Sequence, residues 1–147
     1  MYQKILVAYN ASAHSAIALE EAADIARASG GELHVLGIVV NTGALAIADT
    51  AAASGSVLTI EHERIKEALD LVCSQLKDQG LNATGSVREG DAAQQIVATA
   101  HQIGADLAVI GHSNKGLLAR WFQGSVGARL MTELPCSLLV AADTRRA

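Results

Sequence analysis

Between residues 111 and 125 the chain reads GHSNKGLLARWFQGS, with glycine at both flanks, one lysine, one arginine and a serine that opens the stretch SVGARLMTEL. An anion such as phosphate needs several hydrogen-bond donors that converge with no side chain in the way. Glycine clears the space, and a helix N-terminus supplies free N–H groups and a favourable dipole. Gly124 and Ser125 offer both, with a hydroxyl in addition, and Gly111 clears space at the end of the apolar run DLAVI; Lys115 and Arg120 add positive charge. A plainer use fits the same residues, in which Gly124 turns the chain and Ser125 caps a helix. Local chemistry leaves both readings open. The P-loop pattern fits poorly, because Leu117 and Leu118 stand where its Lys and Ser/Thr would meet phosphate and Mg²⁺.

Other reactive residues form no constellation. The histidines at 14, 34, 62, 101 and 112 fall on different segments, and no pair has the H-x3-H spacing of a metal site. His62 lies on the apolar stripe of a long helix, which predicts a hydrogen-bonded core or interface histidine. Cys73 and Cys136 sit in apolar runs and form no CxxC, which predicts two buried free thiols. Ser12 and Ser113 follow strands, yet neither has a positioned base beside it in the sequence, and helix capping accounts for Ser12. Trp121 reads as a packing anchor under a loop.

Strands and helices must position these residues, and hydrophobic periodicity locates them. KILVAY and ELHVLGIVV are short, nearly continuous apolar runs, as strands buried on both faces require. Between them, SAHSAIALEEAADIARAS places Ala18, Ala22, Ile25 and Ala26 on one helical face, and Gly30–Gly31 stops it. Residues 41–56 show no clear period and read as a connection, with a lid over a site as the sharper alternative. The clearest helix starts at Val57, carries the stripe Ile65, Leu69, Val72 and Leu76, and ends at Gly80. LNATGSVREG is a half-exposed strand. Asp91 and Gln94 resemble a capping box before a helix whose buried face is Ile96, Ala100 and Ile103. DLAVIG, SVGARLMTEL and CSLLVA complete an alternating series, with Pro135 breaking the last helix.

This alternation predicts an α/β fold: a five-stranded parallel sheet with helices on both faces, all in one domain spanning 1–147. Its ligands belong beyond the carboxyl ends of the strands, where strand order reverses. The loops after KILVAY and DLAVIG would border that crevice if the two strands are neighbours. The run Cys136–Ala141 carries no charge, and if it forms the sheet's edge its open backbone invites pairing with another chain. With 15 acidic against 11 basic residues the net charge is −4, which argues against a nucleic-acid binder. No segment is apolar over the roughly 18 residues of a membrane span, and the N-terminus lacks a signal-peptide run. A cytoplasmic protein that touches no membrane is the expectation.

From residue 2 to 142 the chain resembles the universal stress protein family, on the landmarks KILVAYNASAHS, EGDAAQQI, GADLAVIGHSN, GSVGARLM and LPCSLLVA. The resemblance implies a Rossmann-like sheet of the adenine nucleotide alpha hydrolase type, ordered 3-2-1-4-5, and a homodimer formed through the last strand. It also implies an adenine nucleotide (ATP, AMP or cyclic AMP) in the switch-point crevice, Mg²⁺ accompanying ATP, and at most slow hydrolysis. Gly111, Gly124, Ser125 and Val126 match the family's phosphate-contacting positions, and Ile38 and Ile110 those whose backbone lines the pocket. Two positions depart: Asn114 stands where the second glycine belongs, and Asn10 where an Asp belongs. Asparagine tolerates positive φ better than other non-glycine residues, but its side chain intrudes on the loop. At position 10 an amide keeps an acceptor, adds donors and removes a charge. The expected function is therefore a nucleotide-responsive stress module, the alternative being a dimeric adaptor for an unidentified protein partner that has lost the ligand.

Overall fold

Ile5, Leu6, Val7 and Ala8 follow one another without a polar residue, so the strand they form must be covered on both faces. The computed structural model describes residues 1–40, 51–111 and 125–142, with side chains within 1–40, 59–111 and 128–142. It places that strand, β1 (Lys4–Tyr9), at the centre of the sheet. α1 (Ala13–Ser29), β2 (Glu32–Val40), α2 (Ala51–Asp78), β3 (Ala83–Gly90), α3 (Ala92–Ile103), β4 (Leu107–Gly111), α4 (Ser125–Glu133) and β5 (Ser137–Ala141) follow. Every pairing is parallel, in the order β3-β2-β1-β4-β5.

Alternate strand residues feed two separate cores. Ile5, Val7, Leu33, Val35, Leu107 and Val109 meet Ala18, Ala22 and Ala26 of α1 and Leu69 and Leu76 of α2. Leu6, Ala8, Leu36, Ile38 and Ile110 meet Ala93, Ile96 and Ala100 of α3 and Leu130 of α4. The helices therefore cover both faces. Alanine at so many contact positions lets their backbones lie close to the sheet, which suits a chain that is only 3% aromatic.

The predicted caps are in place. Ser12 accepts from Ser15 N and opens α1, Gly30 closes it at φ 71°, and Asp91 accepts from Gln94 N at 2.9 Å to open α3. At the amino edge of the sheet the Asp106 carboxylate accepts from Gln3 N at 2.8 Å and Lys4 N at 3.1 Å, while Asp106 N donates to the Lys4 carbonyl at 2.9 Å. That clamp sets β1 beside β4.

Some expectations need correction. α2 begins at Ala51, not Val57, because three consecutive alanines are strong helix formers and extend the amphipathic stretch backwards. Residues 41–50 of the expected connection lie outside the described residues. Cys73 is buried but Cys136 only half-buried, since it precedes an edge strand with one side open. Val72, Ile25 and Ile103, assigned to buried stripes, are likewise half-buried. His62 is hydrogen-bonded as expected but not in the core: its Nδ1 lies 3.1 Å from Glu89 Oε1 on β3, with the pair partly exposed.

The register of β2 on β3 makes a second histidine contact. His34 Nδ1 lies 3.1 Å from Thr84 Oγ1 and its Nε2 2.9 Å from Ser86 Oγ. Burial, then the nearby Arg88, lowers its pKa below the ordinary value. The unfolded chain thus takes up this proton first as pH falls through about 6.5. Stability linked to His34 is fully present above that pH and is lost as pH falls toward the lower folded-state pKa. Urea midpoints should drop more between pH 7.5 and 5.5 for the native chain than for His34→Asn. Equal drops would remove His34 as a source of acid sensitivity.

Candidate functional site

Strand order reverses between β1 and β4. From β1 the chain turns into α1 on one face, and α4, after β4, covers the other, so a crevice opens beyond the two carboxyl ends. The pair Val7↔Val109, continued two steps, sets Tyr9 level with Gly111. The pair Tyr9↔Gly37, continued one step, sets Ile38 level with Asn10. Four expected residues, Asn10, Ile38, Ile110 and Gly111, thus gather at one end of the sheet. Ile38 and Ile110 send their side chains into the core beside Leu130. What they can offer a ligand is backbone, as the family pattern implies.

The turn after β1 is tightly wired. Asn10 Oδ1 accepts from Ser12 N at 3.1 Å, Ser15 Oγ accepts from Asn10 N at 3.3 Å, and the same hydroxyl donates to the Ser12 carbonyl at 2.9 Å. This Asx turn holds Ala11 at φ 65°, in the left-handed region that side chains avoid. The left-handed form costs an alanine roughly 1–2 kcal/mol, and glycine's larger unfolded entropy offsets about 0.5–1 kcal/mol of any relief. Ala11→Gly should therefore stabilise the protein by about 0.5–1 kcal/mol in urea unfolding. A loss of stability would show that the Ala11 methyl, which packs on the first core, outweighs the strain.

Gly111 has a packing role that its sequence context hides. A Cβ at this position would lie 2.3 Å from the His14 carbonyl oxygen and 2.8 Å from the carbonyl carbon. The first turn of α1 rests directly on the end of β4. His14 Nδ1 beside it is buried and has no hydrogen-bond partner among the described residues. Position 111 must be glycine for the fold, whether or not a phosphate approaches it.

The far wall is α4, which begins at Ser125 and includes Val126. Leu130, fully buried, anchors it against Ile110 and Ile38. Arg129 reaches Asp91 Oδ2 at 3.1 Å and Glu133 Oε2 at 3.0 Å, so the cap of α3 and the first turns of α4 are tied together. Both partners are exposed, which limits the tie to at most about 1 kcal/mol. Asn114 and Gly124 lie outside the described residues, as do His112, Ser113, Lys115, Arg120 and Trp121; the side chains of Ser125 and Val126 also do.

Sequence reasoning missed Ala11, His14 and Ser15. The available signal was the S-x-x-S of SAHS, a cap followed by a second hydroxyl one turn on. Tyr9, the last residue of β1, is buried and its pKa is raised by that burial, with Arg64 of α2 opposing. Two hollows lie away from the crevice. One of about 330 Å³ sits between α1 and α2, and one of about 280 Å³ sits at the amino ends of the strands. Among the described residues no helix is long and apolar enough to cross a membrane.

The model of the universal stress protein family matches residues 1–142. Universal stress protein YxiE of Bacillus subtilis is 28% identical over 150 aligned residues, covering 95% of this chain and 99% of that one. Among solved structures, universal stress protein UspA from Lactobacillus plantarum superposes with a TM-score of 0.79 at 23% identity, over 95% of this chain and 97% of that one. The universal stress protein from Archaeoglobus fulgidus in complex with dAMP superposes with a TM-score of 0.63 at 23% identity, over 95% and 97%.

Proposed function

The chain belongs to the universal stress protein family, and on that footing we propose that it binds an adenine nucleotide between β1 and β4 and signals through occupancy of that site. The observation that carries this reading is the convergence of Asn10, Ile38, Ile110 and Gly111 where strand order reverses, with α4 starting at Ser125. A relative of the same fold was crystallised with dAMP. In this reading Gly111, Asn114, Gly124, Ser125 and Val126 hold the phosphates, and Ile38 and Ile110 present backbone to the nucleoside. Asn10 Oδ1 keeps one lone pair beyond its bond to Ser12, and its amide would offer donors to a ribose or base without adding charge. Among the described residues no group of His, Cys, Asp or Glu could hold a metal, so Mg²⁺ would arrive on the phosphates of ATP.

A second reading, a dimeric adaptor without ligand, draws on two observations. The Asn10 oxygen already caps its own turn, and packing against His14 accounts for Gly111. Both readings share a homodimer through Cys136–Ala141, supported by the place of β5 at the sheet edge and by Val140 standing 37% exposed there.

Denaturing the purified protein and running the supernatant on anion exchange separates the two readings. The first expects a co-purified adenine nucleotide. It also expects that AMP, ATP or cyclic AMP at about 100 times its Kd adds roughly 2.7 kcal/mol, or about 5–10 °C in Tm. No released nucleotide and no shift with any of the three would leave the adaptor standing.

A further inference from the structure

We propose that His14 is a specificity-determining residue of the β1–β4 crevice: its imidazole donates to the first phosphate of a bound nucleotide and so lets the site tell a nucleotide from a nucleoside. This role rests on the nucleotide reading above and adds to it a side chain that recognises the phosphate. His14 stands in the first turn of α1, the helix that follows β1 at the crevice. Its Cβ lies 3.5 Å from the point where a Cβ on Gly111 would stand, and its carbonyl oxygen 2.3 Å from that point. The root of the imidazole is therefore held against the last residue of β4. Backbone packing does this, so a change of side chain at position 14 leaves it in place.

The turn leaves this side chain out of its hydrogen bonding. Asn10 Oδ1 accepts from Ser12 N, Ser12 Oγ from Ser15 N, and Ser15 Oγ from Asn10 N, so those three side chains serve the turn itself. His14 Nδ1 is shut off from solvent, yet it has no partner among the described residues. Buried polar atoms without a partner are few in folded proteins, and each calls for a reason. His14 is only half-buried as a whole. Turning its ring about the Cβ–Cγ bond, a broad and soft torsion, exchanges the Nδ1 and Cδ2 edges and carries the nitrogen out of its enclosure. An imidazole keeps an N–H in either charge state, so it can donate to an anion in both.

The placement favours a phosphate over a ribose or base. Asn10 stands on the nucleoside side, level with Ile38 of β2. β1 and β4 are paired neighbours, roughly 5 Å apart. A nucleoside seated over Asn10 and Ile38 thus brings the phosphate bonded to its ribose, not one further out, over Gly111 and within a side chain's length of His14. The arginines of the two helices α2 and α4 that carry described side chains are engaged elsewhere: Arg64 with Glu61 at 3.0 Å, and Arg129 with Asp91 at 3.1 Å. His14 is the donor left for that phosphate on the α1 side.

Calorimetric titration of the full-length protein with AMP and with adenosine tests this, alongside the ring-nitrogen NMR resonances of His14, identified by their loss in His14→Ala. That substitution should weaken AMP about tenfold or more, the worth of a hydrogen bond to a charged group, and adenosine by less than about twofold. His14→Asn, whose amide nitrogen takes the place of Nδ1, should bring AMP back to within about threefold of the native affinity. In the native chain a ring nitrogen should shift at saturating AMP and hold its position with adenosine. Four results would overturn the proposal and leave the nucleotide reading standing: unchanged AMP affinity in His14→Ala, equal losses for AMP and adenosine, a loss that persists in His14→Asn, or a ring that ignores saturating AMP. A native chain that binds no AMP would overturn both.

Discussion

Gly111→Ala should cost roughly 3 kcal/mol of stability and lower the melting temperature by about 6–12 °C. The added methyl would meet the carbonyl of His14 at 2.3 Å, and a backbone atom in the first turn of a helix cannot swing aside as a side-chain tip does. Relief requires α1 to lift from β4, which would strain the Asn10–Ser12–Ser15 network and expose Ala18 beneath it. Urea unfolding would measure the loss. A change below about 0.5 kcal/mol would mean that α1 does not rest on the strand end. The result also bears on ligand work: weakened nucleotide binding in Gly111→Ala could not be ascribed to a lost phosphate contact, because the same change moves the fold.

Leu130→Ala should cost a similar amount, about 3 kcal/mol within the roughly 2–5 kcal/mol range of buried leucine truncations. Among the described side chains of α4 it is the one fully buried, and its partners Ile38 and Ile110 lie directly under the crevice. The ion pair of Arg129 with Asp91 is exposed on both sides and should contribute far less, so Arg129→Ala serves as the comparison. If α4 presents its N-terminus to a nucleotide, Leu130→Ala should also reduce affinity well beyond the effect of Arg129→Ala. Equal stability losses from the two substitutions would show that α4 is not anchored through Leu130.

The elements were legible because their patterns are local. Apolar runs such as KILVAY, the stripe through Ile65, Leu69 and Leu76, and the caps at Ser12, Asp91 and Gly30 each declare themselves within a few residues. Strand order has no such local mark. It came from the family resemblance, and the parallel pairing of β1 with both β2 and β4 bears it out. Burial at the margins was misread for a related reason. Cys136 and Ile103 sit in runs that look like core, yet an edge strand and a helix end each leave one side open.

At the site, the loops after β1 and β4 were expected to border one crevice if those strands are neighbours, and β1 does pair with β4. The strain at Ala11 was not expected, since alanine gives no hint of a left-handed turn. Nor could the sequence show His34 meeting Thr84, 50 residues away, because that meeting depends on register across two strands. The dual use of Gly111 was hidden for the same reason: its closest neighbour belongs to a different element.

The two borders of the sheet differ in chemistry. β3 carries Arg88 and Glu89 and ends at Gly90 with φ 135°, so a stranger laid along it would have to bury charges and follow a bent backbone. β5 has neither obstacle. Any association through β5 by a two-fold axis consumes that inviting border on both copies and leaves only guarded ones outward. Growth then halts at a pair, and the chain is kept from threading itself into fibres.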